Sequence, residues 1–404
     1  MKLKVKNLEV SMINITLILY LFGVIVTDEG SNFMKVIRVV MLGVCLVITL
    51  KEKKIRLYKY FLPLILFCLF AILSIKWACN KALSLEMSKT LVINVITIYC
   101  FFYLVNFNKK RIDLVLKSIM IFPILLELRA IYYGGIFGYL NSRISGTISG
   151  NTVGMCSAFG ASIALYYILK KNKTSLYITL FITNIMILIL SSSRKAILCL
   201  LIPVGVLYVF NNKNRLLNII FKLIVLSIIT IGVYYLIINI EFLYNTIGHR
   251  MESLINGLIG NGDNIDASAK TRMNLITWGL EWFKENKWIG YGVDNYRVML
   301  TTTHPDYPIS YYAHNNYVEL LVDLGIVGTV LYYFNYIKII FIGFIKKRKM
   351  SNCGLVFIGI LIAILISETG LVSYYDKYIQ MMLASIWIVV KSETNKNLIN
   401  YNKE

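Results

Sequence analysis

Residues 271–297 read TRMNLITWGLEWFKENKWIGYGVDNYR, and residues 311–328 read YYAHNNYVELLVDLGIVG. The first stretch is polar and aromatic, punctuated by Gly290 and Gly292, and the second sets His314 and Asn315 immediately before an apolar helix. Nearly everything on either side is apolar enough to lie in a bilayer. The insert that carries the first of these motifs and ends at the second, from about Glu241 to Ser310, is too long for a plain connector. His314 follows it, where the chain re-enters hydrocarbon.

The flanking sequence sets the class. Of 404 residues, 57% are hydrophobic, and the mean hydropathy is +0.67. The apolar residues come in blocks of the length that a helix needs to cross hydrocarbon, roughly 20 residues. Lipid offers no partners to backbone N–H and C=O groups, so these blocks are helices. About twelve spans are expected, near 11–27, 34–50, 59–76, 88–106, 114–136, 150–169, 175–191, 195–210, 217–239, 312–333, 335–345 joined to 354–367, and 371–390. The piece 312–345 exceeds one crossing and is expected to break near Gly325 or to tilt steeply. The chain therefore reads as an all-α, polytopic membrane helix bundle. Residues 1–239 and 312–404 hold the transmembrane helices, the latter with a short tail, and residues 240–311 form one large extracytoplasmic loop with an amphipathic helix.

A formal charge of +21 could indicate a nucleic-acid partner, but the basic residues sit in short clusters between apolar blocks. Lys2, Lys4 and Lys6, the run KEKKIRLYK (51–59), Lys109 to Arg111, Lys170 to Lys173, Lys213 with Arg215, and KKRK (346–349) all share one side if the spans alternate. The positive-inside rule makes that side cytoplasmic, with both termini there and the insert facing outward from the cytoplasmic (inner) membrane. The first apolar block is followed by TDEG rather than a small-residue cleavage site, so no cleavable signal is expected. The seven cysteines show no metal-ligand spacing, and Cys45, Cys68, Cys100, Cys156 and Cys199 lie in apolar runs.

Within the insert, residues 261–270 read as a polar turn. Asp266 or Ser268 can cap a helix whose apolar face is Leu275, Ile276, Leu280, Trp282 and Phe283. Trp278, Trp282 and Trp288 favour the headgroup level, which would lay this helix over the bundle as a roof.

Five positions could carry chemistry: Arg143, Arg194, Arg250, Arg272 and His314. An arginine fork donates two parallel hydrogen bonds to phosphate and keeps its proton, so several arginines from different loops would suit a diphosphate. Singly, each could equally pair with lipid phosphates. A neutral imidazole at 314 can take a proton from a hydroxyl. Glu319 and Asp323 follow it at helical spacing, and one of them could hold or tune it. His249 and His304 lie in loop without such a setting. Glu127 and Arg129, two apart in the fifth span, cannot face each other, so each needs another partner or a bend at Pro123. No Walker-type, H-E-x-x-H or G-x-S-x-G motif is present, nor an outward aspartate pair suited to a divalent metal.

Taken together, SSSRK (191–195), Arg272 with Trp278, IGYGVDNY (289–296) and AHNNYVELLVDLGIVG (313–328) resemble the O-antigen ligase and Wzy-type polysaccharide polymerase superfamily. NSRISGTISGN (141–151) is similar to that family's earlier loop motif. The resemblance implies a C-type, metal-independent membrane glycosyltransferase without cofactors. Its donor and acceptor would be undecaprenyl-pyrophosphate-linked oligosaccharides at the outer face of the membrane. It would act within the lipid bilayer, without nucleic acid, alongside a flippase and a chain-length regulator. By resemblance, His314, Arg272 and Arg194 are the catalytic residues, and Arg143, Arg250, Asn315 and Tyr296 the substrate-binding ones. His314 would act as general base while the arginines neutralise the departing diphosphate, worth roughly 3–4 kcal/mol per well-placed donor. Direct attack by the acceptor hydroxyl implies inversion. The leading expectation is a polymerase of capsular or O-antigen repeat units, and a ligase passing glycan to another acceptor shares the same motifs. A lipid-linked oligosaccharide transporter is the alternative of another class. It fits less well, because the chain has a large asymmetric loop with His and Arg and lacks paired repeats.

Overall fold

The computed structural model describes residues 2–28, 30–53, 55–134, 144–145, 148–170, 174–210, 222, 231–232, 234–235, 238–240, 244, 267–309, 311–346 and 349–395. The apolar blocks are helices: α1 Lys2–Val26, α2 Asn32–Glu52, α3 Phe61–Ser74, α4 Lys81–Val105, α5 Lys109–Gly134, α6 Gly150–Leu169, α7 Thr174–Leu190 and α8 Arg194–Phe210. Beyond the insert's first half come α9 Ala267–Glu285, α10 Tyr296–Thr303, α11 Asn316–Lys346, α12 Asn352–Ser367 and α13 Lys377–Thr394. The fold is an all-α polytopic membrane bundle, relieved by one two-residue antiparallel pairing, β1 Ile144–Ser145 with β2 Ile148–Ser149, whose Ser149 caps α6.

Six of the described helices are long and apolar enough to cross a membrane, falling in α1, α2, α4, α6, α11 and α12, and α3 and α7 are shorter apolar helices. The blocks expected near 114–136, 195–210 and 371–390 are also helical, as α5, α8 and α13. The block at 217–239 lies mostly outside the described residues. α6 packs against α7 and α8, α8 against α12, α1 against α5, and α3 against α11. These contacts close one continuous apolar core.

Hydrogen bonds and an ion pair tie the end of α1 to α5 and α13. The last carbonyls of α1 are orphan acceptors at the negative end of a helix dipole, and cations satisfy them. Lys377 Nζ donates to Gly23 O at 3.0 Å and to Thr27 O at 2.7 Å. Arg129 reaches Val26 O and pairs with Asp28, so its role is a structural contact between α5 and the end of α1. Of the expected cytoplasmic clusters, Lys51 and Arg56 lie at and just after the end of α2, where Arg56 pairs with Glu52, and Lys109 to Arg111 lie at the start of α5.

The long helix α11 does break at Gly325, where φ is 61° and ψ is −164°. A break inside an apolar bundle strands backbone groups, and the segment just after α9 takes them up. Tyr291 N and Gly292 N donate to the carbonyls of Val322 and Asp323 at 2.9 and 2.8 Å. In return Ile326 N and Val327 N donate to Lys287 O and Trp288 O at 2.8 and 3.3 Å. Gly290 and Gly325, both at positive φ, make this possible: a Cβ on either would lie 2.3–2.5 Å from the backbone it faces.

The helix α9 packs its apolar face on α11, forming a second small core with Leu275, Trp282, Tyr296, Leu300, Val318 and Val322. Ile276 and Phe283 join it in part, whereas Leu280 remains 40% exposed. The three tryptophans differ in their packing. Trp282 is buried against Tyr296 and Trp278 stacks on His304, leaving Trp288 67% exposed. α9 begins at Ala267, which places Ser268 inside the helix, and the expected capping contact lies outside the described residues.

Candidate active site

Asp323 joins the two sequence motifs. Its carboxylate accepts the backbone N–H groups of Asp294 (2.7 Å), Asn295 (2.9 Å) and Tyr296 (2.7 Å), and the Tyr374 hydroxyl at 3.3 Å. These N–H groups belong to the approach and first turn of α10, where orphan donors need an acceptor. The same loop is tied to the α3–α4 junction: Asn80 N donates to Asn295 Oδ1 at 2.6 Å, and Asn295 Nδ2 donates to Ser84 Oγ at 2.7 Å. Asp294 pairs with Arg297 at 2.7 Å. Burial pushes its carboxyl up to about 6, with Arg297 pulling it back.

His314 stands at the start of α11 in a left-handed backbone conformation, φ 53°. Such a conformation costs a non-glycine residue about 1–3 kcal/mol and persists only where its surroundings enforce it. Two contacts do so. On one side Ala313 N donates to Glu319 Oε2 at 2.7 Å. On the other, Asn315 Oδ1 accepts Tyr317 N at 3.0 Å and Val318 N at 3.1 Å, capping α11. The half-buried imidazole rests on the ring of Tyr312, with centroids 4.1 Å apart and planes at 43°. Burial, then the positive charges of Arg272 and Lys195, push its pKa down to about 4. The imidazole is therefore neutral at physiological pH and free to accept a proton.

The cations come from two helix starts. Arg194 and Lys195 open α8 after the SSS turn, in which Ser193 Oγ donates to Asn151 Oδ1 at 2.8 Å. That bond sets the end of the 141–151 stretch against SSSRK. Lys195 Nζ donates to the carbonyl of Gly370. Arg272 lies in the second turn of α9, close enough for its charge to act on His314, Lys195 and Tyr312. Among the described residues, no carboxylate pairs with Lys195 or Arg272. The nearby acids are otherwise engaged, Glu319 with Ala313 and Asp323 with residues 294–296. A neutral base beside Lys195 and Arg272, which pair with no carboxylate among the described residues, suits an anion that carries a reactive centre next to a hydroxyl.

The expected site residues thus divide. His314 feels the charges of Arg272 and of Lys195 in the SSSRK turn, and Lys195 feels those of Arg272 and Arg194. Arg143, Arg250 and His249 lie outside the described residues. Tyr296 is fully buried and donates its hydroxyl to Leu275 O at 2.5 Å, so it anchors α9 and presents no open face to a ligand. The amide oxygen of Asn315 is spent on capping α11. Glu319 holds the backbone before the imidazole rather than the ring itself. His304 stacks on Trp278 with centroids 3.7 Å apart. Lys195 joins His314 and Arg272 in the structure, and its place beside Arg194 in a Ser-rich turn is the sequence signal for it. The contacts made by residues 74–84 and 368–374 leave no such trace in the sequence.

No curated protein matches the chain. Residues 179–333 match the Wzy_C family model, described as O-antigen ligase, and over that part of the chain, which holds SSSRK, Arg272, the 289–296 loop and His314, the resemblance drawn from its motifs holds.

Proposed function

We propose that this protein is a polysaccharide polymerase that joins lipid-diphosphate-linked oligosaccharide repeat units at the outer face of the cytoplasmic membrane. The observation that carries the reading is the neutral imidazole of His314 under the charges of Arg272 and Lys195, within the stretch matched by the O-antigen ligase family. The remaining apolar helices, with 217–239, would complete about twelve spans of C-type architecture. The basic clusters at the opposite helix ends support an outward-facing site.

In the proposed reaction an acceptor hydroxyl gives its proton to His314 while its oxygen bonds to the donor's anomeric carbon. The bond from that carbon to the diphosphate breaks, and the electron pair leaves with undecaprenyl diphosphate. Arg194 and Arg272, aided by Lys195, balance the charge that develops on the leaving group. Attack opposite the leaving group inverts the anomeric centre. Arg143 and Arg250 belong to this proposal as further phosphate contacts.

The test is purified full-length protein in lipid nanodiscs, supplied with lipid-diphosphate-linked repeat units and scored by gel and anomeric NMR. Long chains with inverted linkage, lost in His314→Ala and Arg272→Ala, are expected. Extension by His314→Ala, or a retained configuration, would overturn the mechanism. A ligase reading is favoured by the description of the matched family. It requires transfer of preformed long glycan to a different acceptor, with no growth from single units.

A further inference from the structure

The turn from Glu368 to Tyr374, between α12 and α13, lies beyond the matched residues 179–333. It contacts Lys195 of the candidate site and two residues, Asn316 and Asp323, of the helix that His314 precedes. Lys195 Nζ donates to Gly370 O. Asn316 Oδ1 accepts Ser373 N at 2.8 Å and Tyr374 N at 3.0 Å. Tyr374 donates its hydroxyl to Asp323, the carboxylate that holds residues 294–296.

At the centre of this turn is Glu368, fully buried. Its Oε1 accepts Ser373 Oγ at 2.6 Å and the Tyr336 hydroxyl at 2.9 Å, and its Oε2 accepts the Tyr333 hydroxyl at 2.8 Å. Tyr333 in turn accepts Asn316 Nδ2 at 2.8 Å. Among the described residues no cation pairs with this carboxylate. Burying a carboxylate is costly, neutral hydroxyl donors only offset that cost, and well-packed apolar side chains would often stabilise the fold as well or better. Its value therefore lies in geometry. It orients Ser373 and Tyr333, and the turn and Tyr333 together hold both ends of the Asn316 amide, two residues beyond His314.

We infer that Glu368 is a positioning residue, fixing the start of α11 so that the His314 imidazole meets the acceptor hydroxyl. The inference rests on the reading of His314 as the base. A displacement of about 1 Å at a reacting group can cost 100-fold in rate.

The test compares Glu368→Leu, Glu368→Gln, Ser373→Ala and His314→Ala, full-length in nanodiscs with lipid-diphosphate-linked repeat units, normalised to folded protein. Glu368→Leu is expected to lower kcat about 100-fold while KM stays within two-fold. Glu368→Gln keeps an acceptor oxygen for the hydroxyls and is expected to recover most of that loss. Ser373→Ala preserves the backbone N–H to Asn316, folds most readily, and is expected to lower kcat several-fold. A purely structural role would reduce the folded fraction and leave kcat per folded molecule unchanged in all three, and that result overturns the inference. Turnover by His314→Ala would instead remove the reading of the base, and this inference with it.

Discussion

Asp323 accepts the backbone N–H of Tyr296 at 2.7 Å, across 27 positions of sequence. With the N–H groups of Asp294 and Asn295 on the same carboxylate, the IGYGVDNY loop and the broken helix α11 form one rigid object. Arg272 on α9 and His314 at the start of α11 inherit their mutual placement from it, because Tyr296 of that loop also bonds α9 at Leu275.

Asp323→Ala leaves three buried N–H groups without an acceptor. Each orphaned donor costs about 1–3 kcal/mol, so a loss on the order of 3 kcal/mol or more is expected. Asp323→Asn keeps one acceptor oxygen but turns an amide N–H₂ toward a donor, and its cost should be smaller. Thermal unfolding of the purified protein, compared between the two variants, reads the order directly. Equal midpoints for wild type and Asp323→Ala would refute this account.

The break at Gly325 makes a sharper contrast. A Cβ there would stand 2.3 Å from the Trp288 carbonyl carbon in a backbone region that L side chains avoid. Gly43, inside α2, has nothing within 4 Å of a Cβ. Gly325→Ala should therefore destabilise by at least the roughly 1–3 kcal/mol of a strained conformation. Gly43→Ala should be neutral or stabilise by up to about 1 kcal/mol, the helix propensity difference. Similar unfolding midpoints for the two variants would show that the pairing of residues 287–292 with the break is not needed.

Block length and Gly325 made the helices and the break legible in the sequence, because hydrocarbon leaves the backbone few choices. What fills the break was not legible, since the bonds of Tyr291 and Gly292 to α11 run between backbones and need no particular side chain. Asp323 could be read as a costly charge in want of a partner, but its partners are N–H groups that carry no letter in the sequence. The packing of Tyr296 was not legible either: its ring fills the space under Trp282, which comes from a helix that is its neighbour only in the folded chain. Glu368 and Ser373 carry no such signal, because they come close to Asn316 only in the folded chain.

His314 offers a test by pH. Burial and the charges of Arg272 and Lys195 hold the imidazole near 4, below the ordinary value of 6.5. Removing a positive charge makes protonation easier, so Lys195→Met should raise this pKa. The reaction requires the neutral form. The acid limb of kcat/KM, which reports the free enzyme, should therefore lie near 4 in the wild type and move toward 6.5 in Lys195→Met. Lys195→Arg keeps the charge and should leave the limb in place. An unmoved limb in Lys195→Met would mean that His314 is not the group being titrated.

Tyr296→Phe separates anchoring from substrate contact. The hydroxyl bonds Leu275 O, and the ring has no exposed surface. Loss of one buried hydrogen bond, with its acceptor left in place, costs about 1–3 kcal/mol. The variant should unfold at lower temperature yet keep its KM for lipid-linked repeat units at temperatures where it is folded. Tyr296→Ala, which empties the space against Trp282, should lose about 3–5 kcal/mol by analogy with other large aromatic truncations. If Tyr296→Phe instead raised KM several-fold with an unchanged melting temperature, the hydroxyl would be a ligand group, and the closed packing of α9 on α11 would have to open during turnover.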